Sequence, residues 1–190
     1  MEGGVSIESP ATRFAELLAL AGSGKRLPVE RWHPKHCGHS AMRIAADGTW
    51  FHEGTPIGRP ELVRLFSSIL RREADGSHVL VTPAEKLDID VEDAPFLAVD
   101  ADTLSEGPER HVIFRLNTDE LVACGPDHAL DVRVDADGTP RPYLHVRGGL
   151  LALVNRATFY RLADLALAEG AQPPGLWSDG AYFPFMPASR

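Results

Sequence analysis

Met42-Arg43-Ile44-Ala45-Ala46-Asp47-Gly48-Thr49-Trp50-Phe51 decides how the chain is read. Asp47-Gly48 is a strong hairpin signal, because a tight two-residue turn needs left-handed backbone that Asp and Gly tolerate. Two short strands are expected around it, Met42 to Ala46 and Thr49 to Phe51. Glu53-Gly54-Thr55-Pro56 supplies the next turn. From Pro60 the apolar spacing lengthens to that of a helix, with Leu62, Leu65, Phe66, Ile69 and Leu70 on one face and Arg64, Ser67, Arg71 and Arg72 mainly opposite. Asp75-Gly76 ends this helix and turns the chain into a strand from His78 to Thr82.

The same order returns in the second half. Asp47-Gly48-Thr49, strand, Gly58-Arg59, helix, Asp75-Gly76 and strand come first; Asp137-Gly138-Thr139, strand, Arg147-Gly148, helix, Asp179-Gly180 and strand follow. Two copies do not make a stacked array. The fold class expected is α+β, with two similar lobes from a duplicated strand–strand–helix–strand motif. The domains expected are an N-terminal helix and linker over 1–40, an N-terminal lobe over 41–95 and a C-terminal lobe over 96–190. Asp-Gly turns ahead of helices also arise without duplication. Where two similar lobes meet, a cleft is a natural ligand site.

Working outward, Ser9-Pro10 reads as a helix start, Phe14, Leu17, Leu18 and Ala21 as its apolar stripe, and Gly22 as its stop. Gly24 to Ser40 reads as a linker packed by Trp32. Leu87, Ile89 and Val91 alternate with Asp88, Asp90 and Glu92, the period of a half-buried strand. Further strands are expected around Phe96 to Val99, Val112 to Leu116, Val132 to Val134 and Tyr143 to Val146. A second helix is expected from about Gly149 to Ala168, burying Leu151, Val154, Leu162 and Leu165, and stopped by Gly170 and Pro173-Pro174. Asp179-Gly180 then sits in a closing hairpin between Leu176-Trp177 and Tyr182-Phe183.

Of the 190 residues, 44% are hydrophobic and 24% charged, an ordinary globular balance. A net charge of −8 excludes a general nucleic-acid or anionic-membrane binder, since both need clustered Lys and Arg. Two cysteines, Cys37 and Cys124, make no disulfide framework. Met1-Glu2-Gly3-Gly4 lacks the basic start of a signal peptide, and the apolar runs are too short to span a bilayer. A cytoplasmic protein is expected.

Several chemical motifs fail at a nameable residue. Gly22-Ser23-Gly24-Lys25 suggests a phosphate-binding loop, but Ala19 and Arg26 stand where that loop needs Gly and Ser or Thr. His52-Glu53 begins a zinc-protease pattern, but Pro56 replaces the second histidine. His33, His36, Cys37 and His39 are dense in metal-type ligands without a second cluster to complete a site. Asp88, Asp90, Glu92 and Asp93 lack the glycine of a calcium loop, because Asp93 holds that position. No catalytic residue, metal or cofactor is therefore expected, and the protein reads as a binder rather than an enzyme.

The residues left for ligand chemistry are cations and an aromatic at element ends: Arg43, Arg59, Lys86, Arg141, Tyr143, Arg147 and Arg156. Guanidinium forks suit phosphate or carboxylate, and aromatic faces suit a flat ring. The competing reading is surface ion pairing with the 27 acidic residues. Two other functions stay open: a protein-interaction adaptor offering a sheet edge or groove to a peptide, and a hydrolase using Cys37 or a carboxylate–histidine pair.

Trp32-His33-Pro34, Cys37-Gly38 and the run Asp47 to Ile57 match a known pattern. It continues through Leu62 to Phe66 and Leu70 to Glu73, and is most specific at Leu80-Val81-Thr82-Pro83-Ala84-Glu85-Lys86 and Val91-Glu92-Asp93-Ala94-Pro95-Phe96. Arg141-Pro142-Tyr143, Val146 to Leu150 and Trp177-Ser178 with Gly180 carry it to the C-terminus. Across nearly its whole length the chain resembles DUF 1285, a bacterial family of unknown function. The resemblance implies a duplicated α+β core whose C-terminal half is superficially pleckstrin-homology-like. It also implies a small ligand of nucleotide type at the domain interface and a role in signal transduction. It carries over no catalytic residue.

Overall fold

A computed structural model describes residues 26–170 and 172–186. The helix expected from Pro10 to Gly22, and Gly22-Ser23-Gly24-Lys25, lie outside the described residues. The chain folds as α+β, with two six-stranded sheets and a two-stranded one. Its residues group into two compact units, Met1–Ala41 with Ile57–Ile89, and Met42–Pro56 with Asp90–Arg190.

In the first sheet the strand order is β3-β2-β1-β6-β5-β4, from β1 (His36–Ile44), β2 (Trp50–His52), β3 (Thr55–Pro56), β4 (Leu70–Arg72), β5 (His78–Val81) and β6 (Lys86–Val91). The deciding hairpin forms as read: Ile44 faces Trp50, and Asp47 Oδ1 accepts the Thr49 N–H at 2.9 Å across the turn. Gly48 takes φ +79°, and a β-carbon there would meet Leu97 and Asn117 at 2.9 Å. The glycine thus serves both the turn and a close approach.

Helix α1 (Pro60–Ser68) is shorter than its apolar spacing suggested. Ser67 and Ser68 hydroxyls donate back to the carbonyls of Arg64 and Leu65, a local competition that ends helices. Leu70 to Arg72, read as the helix's last turn, is instead strand β4, paired with β5 around the Asp75-Gly76 turn. The expected linker likewise yields to structure. A short 3-10 turn (Val29–Arg31) is followed by β1, which begins at His36. Arg71 is buried and donates to the carbonyls of Val29 and Trp32, each at 2.8 Å, so this segment is tied down by backbone bonds.

The second sheet has the order β10-β11-β12-β7-β8-β9, from β7 (Phe96–Leu104), β8 (His111–Leu116), β9 (Leu121–Ala123), β10 (Leu130–Val134), β11 (Pro140–Arg147) and β12 (Leu150–Val154). Its core is Phe96, Phe114, Leu116, Leu144, Val146, Leu150 and Ala152, all essentially inaccessible. Here the expected helix from Gly149 is corrected. Arg147 pairs with Leu150 around Gly148-Gly149, whose φ values of +51° and +78° make a two-residue hairpin loop. Leu150 to Val154 therefore forms β12, parallel to β7. Helix α2 (Arg156–Ala168) starts only after Asn155, whose side chain caps it by accepting the Thr158 N–H at 2.8 Å. The closing hairpin β13 (Gly175–Ser178) and β14 (Ala181–Pro184) forms as expected, as a separate two-stranded sheet.

The element order strand, Asp-Gly, strand, strand, helix, strand, Asp-Gly, strand therefore runs through both β1–β5 and β10–β14. The pairing differs. β4 and β5 join the first sheet, whereas β13 and β14 stay apart from the second. The C-terminal half is a six-stranded sheet followed by the longer helix and a two-stranded hairpin. Among the described residues no helix is long and apolar enough to cross a membrane.

Candidate functional site

The connection from β6 to β7, Glu92 to Pro95, is latched on two sides by consecutive carboxylates. Glu92 pairs with Arg43 of β1 and accepts the Ala46 N–H at 3.0 Å. Asp93 pairs with Arg141 and accepts the Tyr143 hydroxyl at 2.7 Å, both from β11. Arg141 and Tyr143 lie two residues apart on one strand, so their side chains leave the same face. The neighbouring strand adds Arg133, which stands opposite Arg141 and lays its guanidinium 4.6 Å from the Tyr143 ring centre.

Three features give this face its chemistry. Burial and the hydrogen bond to Asp93 push the Tyr143 hydroxyl above its ordinary value of 10.0, against the opposing pull of Arg141, so it stays protonated and donates. Among the described residues Arg141 Nε is buried without a hydrogen-bond partner, with an Asp135 carboxylate oxygen 3.7 Å away. Arg133 is more than half exposed and, among the described residues, paired with Asp131 3.1 Å away.

The other expected site residues are dispersed. Arg43, besides Glu92, covers the Phe51 ring at 4.2 Å. Arg147 pairs with Glu120 at 2.7 Å and lies over Phe96. Arg156 opens α2 and bonds the Tyr160 hydroxyl at 3.1 Å. In the other unit, Lys86 pairs with Glu73 at 3.2 Å, and Arg59 is exposed at the N-cap of α1. Of the seven, Arg141 and Tyr143 share a partner. Surface and half-buried ion pairing accounts for Arg43, Lys86 and Arg147.

Sequence reasoning missed Arg133 and the role of Asp93. The signal for Arg133 was the alternation Asp131, Val132, Arg133, Val134, Asp135, which puts its polar members on one strand face. Asp93 had no such signal, because a turn residue's partner depends on tertiary placement.

The metal-type residues do not converge. His36 bonds Asp88 at 2.8 Å, His39 accepts the Ala41 N–H, and Cys37 donates to the Lys35 carbonyl. Among the described residues no group of three His, Cys, Asp or Glu side chains is placed to hold a metal. His52 ends β2 and Glu53 sits in the turn after it, not on a helix. Cys124 is buried, and burial pushes its thiol up to about 12, which keeps it from acting as a thiolate.

The fold and this face define an α+β protein of two compact units in which the β6–β7 connection is gripped by an arginine and a tyrosine. Two family models cover the described core. The N-terminal domain of DUF1285, a domain of unknown function, matches residues 27–94, and the C-terminal domain of the same family matches 95–185. The chain belongs to the DUF1285 family. The crystal structure of a DUF1285 family protein from Silicibacter pomeroyi DSS-3 is similar, with TM-score 0.80 and 46% identity over 90% of this chain and 95% of that one. One from Shewanella baltica OS155 gives TM-score 0.51 and 29% identity over 66% of this chain and 91% of the other. A search of curated proteins finds no match.

Proposed function

We propose that the protein is a small-ligand-binding module in which the ligand's acidic group competes with Asp93 for Arg141 and Tyr143. The observation that carries this reading is the shared grip of those two side chains on one carboxylate. A guanidinium fork beside a phenol hydroxyl is a receptor for carboxylate or phosphate, and here it holds an internal occupant. The ligand's anion has to turn Asp93 out towards solvent and tolerate Asp131 and Asp135 nearby, so the two guanidinium groups of Arg133 and Arg141 must carry the attraction. A flat ring stacked on the Arg133 guanidinium completes the match to a nucleotide-type ligand.

Loss of Asp93 from Arg141 unlatches the connection between β6 and β7, which gives binding a structural consequence and suits a role in signalling. Thermal-shift screening against nucleotides and phosphorylated metabolites tests the reading, since a ligand that prefers the native state raises the melting temperature. A stabilising compound that fails on Arg141→Gln supports it. A panel silent at millimolar concentration, or a shift unchanged in Arg141→Gln, contradicts it.

A further inference from the structure

Among the described residues, the outer edge of β10 presents backbone groups without a strand partner. The Asp135 N–H donates to Thr139 and the His145 N–H to Ala129, so the bonded pairs of this hairpin fall at residues 129, 131, 133 and 135. The pairs between them, Leu130 with Leu144, Val132 with Pro142 and Val134 with Pro140, turn their backbone groups away from each other. Pro140 and Pro142 fit that register, because proline has no N–H to give. The Leu130 backbone lies beside the Cys124 sulfur. Val132 and Val134 therefore point N–H and C=O away from β11, on the side where β10 ends its sheet; β14 lies near β10 but does not pair with it.

Charge decides what can add to this edge. Asp131, Asp135 and Asp137 are exposed along it against Arg133, with Arg141 of β11 3.7 Å from Asp135, and Val134 is 44% exposed. A second copy pairing antiparallel through Val132 and Val134 would set Asp131 against Asp135 and Arg133 against Arg133. Like charges directly opposite are destabilising, so self-pairing is disfavoured. An extended segment bearing lysines meets the carboxylates instead, while its own backbone completes the two open rungs.

We propose that the β10 edge is a docking strand for an extended basic peptide of a partner protein. It uses the backbone of Val132 and Val134, not the Tyr143 face, and stands apart from the small-ligand reading.

The test is fluorescence anisotropy on the full chain with a labelled peptide of alternating lysine and valine. A peptide of alternating glutamate and valine is the control. The lysine peptide is expected to bind, more weakly at high salt, and the glutamate peptide to stay free. Val134→Pro removes an outward N–H without touching the bonds to β11, and is expected to weaken binding about tenfold, the size of one lost backbone hydrogen bond. Hydrogen exchange on the unaltered protein needs no variant: the peptide should slow the Val132 and Val134 amides, while Arg133, already bonded to β11, changes little. Equal binding of the two peptides, no binding of either, indifference of folded Val134→Pro, or no slowing at Val132 and Val134 would overturn the proposal. So would self-association that Val134→Pro relieves, since the occupant would then be a second copy.

Discussion

Glu169, at the C-terminal cap of α2, holds Arg110, whose side chain is 2% exposed and donates through Nη1 to Glu169 Oε2 at 3.0 Å. The pair fixes the end of that helix against the start of β8, and its two halves differ in burial. Removing the carboxylate leaves a buried guanidinium without its counter-charge, whereas removing the arginine leaves a carboxylate that water can reach. Glu169→Ala is expected to destabilise by about 3 kcal/mol, the lower end for a broken buried pair, because Glu169 is itself one-third exposed. Arg110→Met should cost clearly less. Denaturant unfolding of both variants checks the order, and the reverse order would refute this reading of the pair.

The two Asp-Gly-Thr turns make a matched comparison. Gly48 and Gly138 both have positive φ, +79° and +86°, but a β-carbon meets Leu97 and Asn117 only at Gly48. Gly138→Ala should cost about 1 kcal/mol, the strain of left-handed backbone alone. Gly48→Ala should cost more, by about 1–2 kcal/mol for the added overlap. Melting temperatures of the two variants decide the matter, and equal losses would mean the close approach at Gly48 is relieved at no cost.

Acid should weaken the fold partly through Glu73. Burial pushes its carboxyl up, but hydrogen bonds from Arg71 and Lys86 outweigh this and hold it below its ordinary value of 4.5. A carboxylate depressed in the folded state stabilises fully above its unfolded value, and that stability is lost as pH falls through the folded one. Stability from Glu73 is therefore present above pH 4.5 and declines below it. Stability against pH in Glu73→Gln should show a flatter acid limb than in the unaltered chain. An unchanged limb would remove Glu73 from the account.

Thiol chemistry should separate the two cysteines. Cys37 is exposed and Cys124 buried, with its thiol pushed up to about 12. A thiol-specific reagent at neutral pH is expected to label Cys37 rapidly and Cys124 only after unfolding. Labelling of Cys124 in the native protein would contradict the burial.

Much of the fold was legible because local chemistry settled it. Asp47-Gly48 and Asp179-Gly180 each mark the hairpin they were read to mark, whereas Asp75-Gly76, read as a helix stop, closes the β4–β5 hairpin. The misread stretch, Leu150 to Val154, is apolar at every position, and such a run has no period to distinguish strand from helix. Gly148-Gly149 was the available clue, a two-residue loop read as a helix entrance. The site was less legible. Arg141-Pro142-Tyr143 was visible as cation plus aromatic, but the partners of Arg43, Lys86, Arg141, Tyr143 and Arg147 lie elsewhere in the sequence, as with Asp93, 48 residues from Arg141.

The central claim, that a ligand takes the place of Asp93, is tested most directly by calorimetric titration of the best stabilising compound into three proteins: the unaltered chain, Asp93→Asn and Arg141→Gln. Asp93→Asn weakens the internal competitor, so affinity should rise, while Arg141→Gln removes the receptor and should lower it by about tenfold or more, the loss of a charge-assisted hydrogen bond. If Asp93→Asn binds more weakly than the unaltered chain, Asp93 is part of the ligand's site rather than its rival, and the account fails.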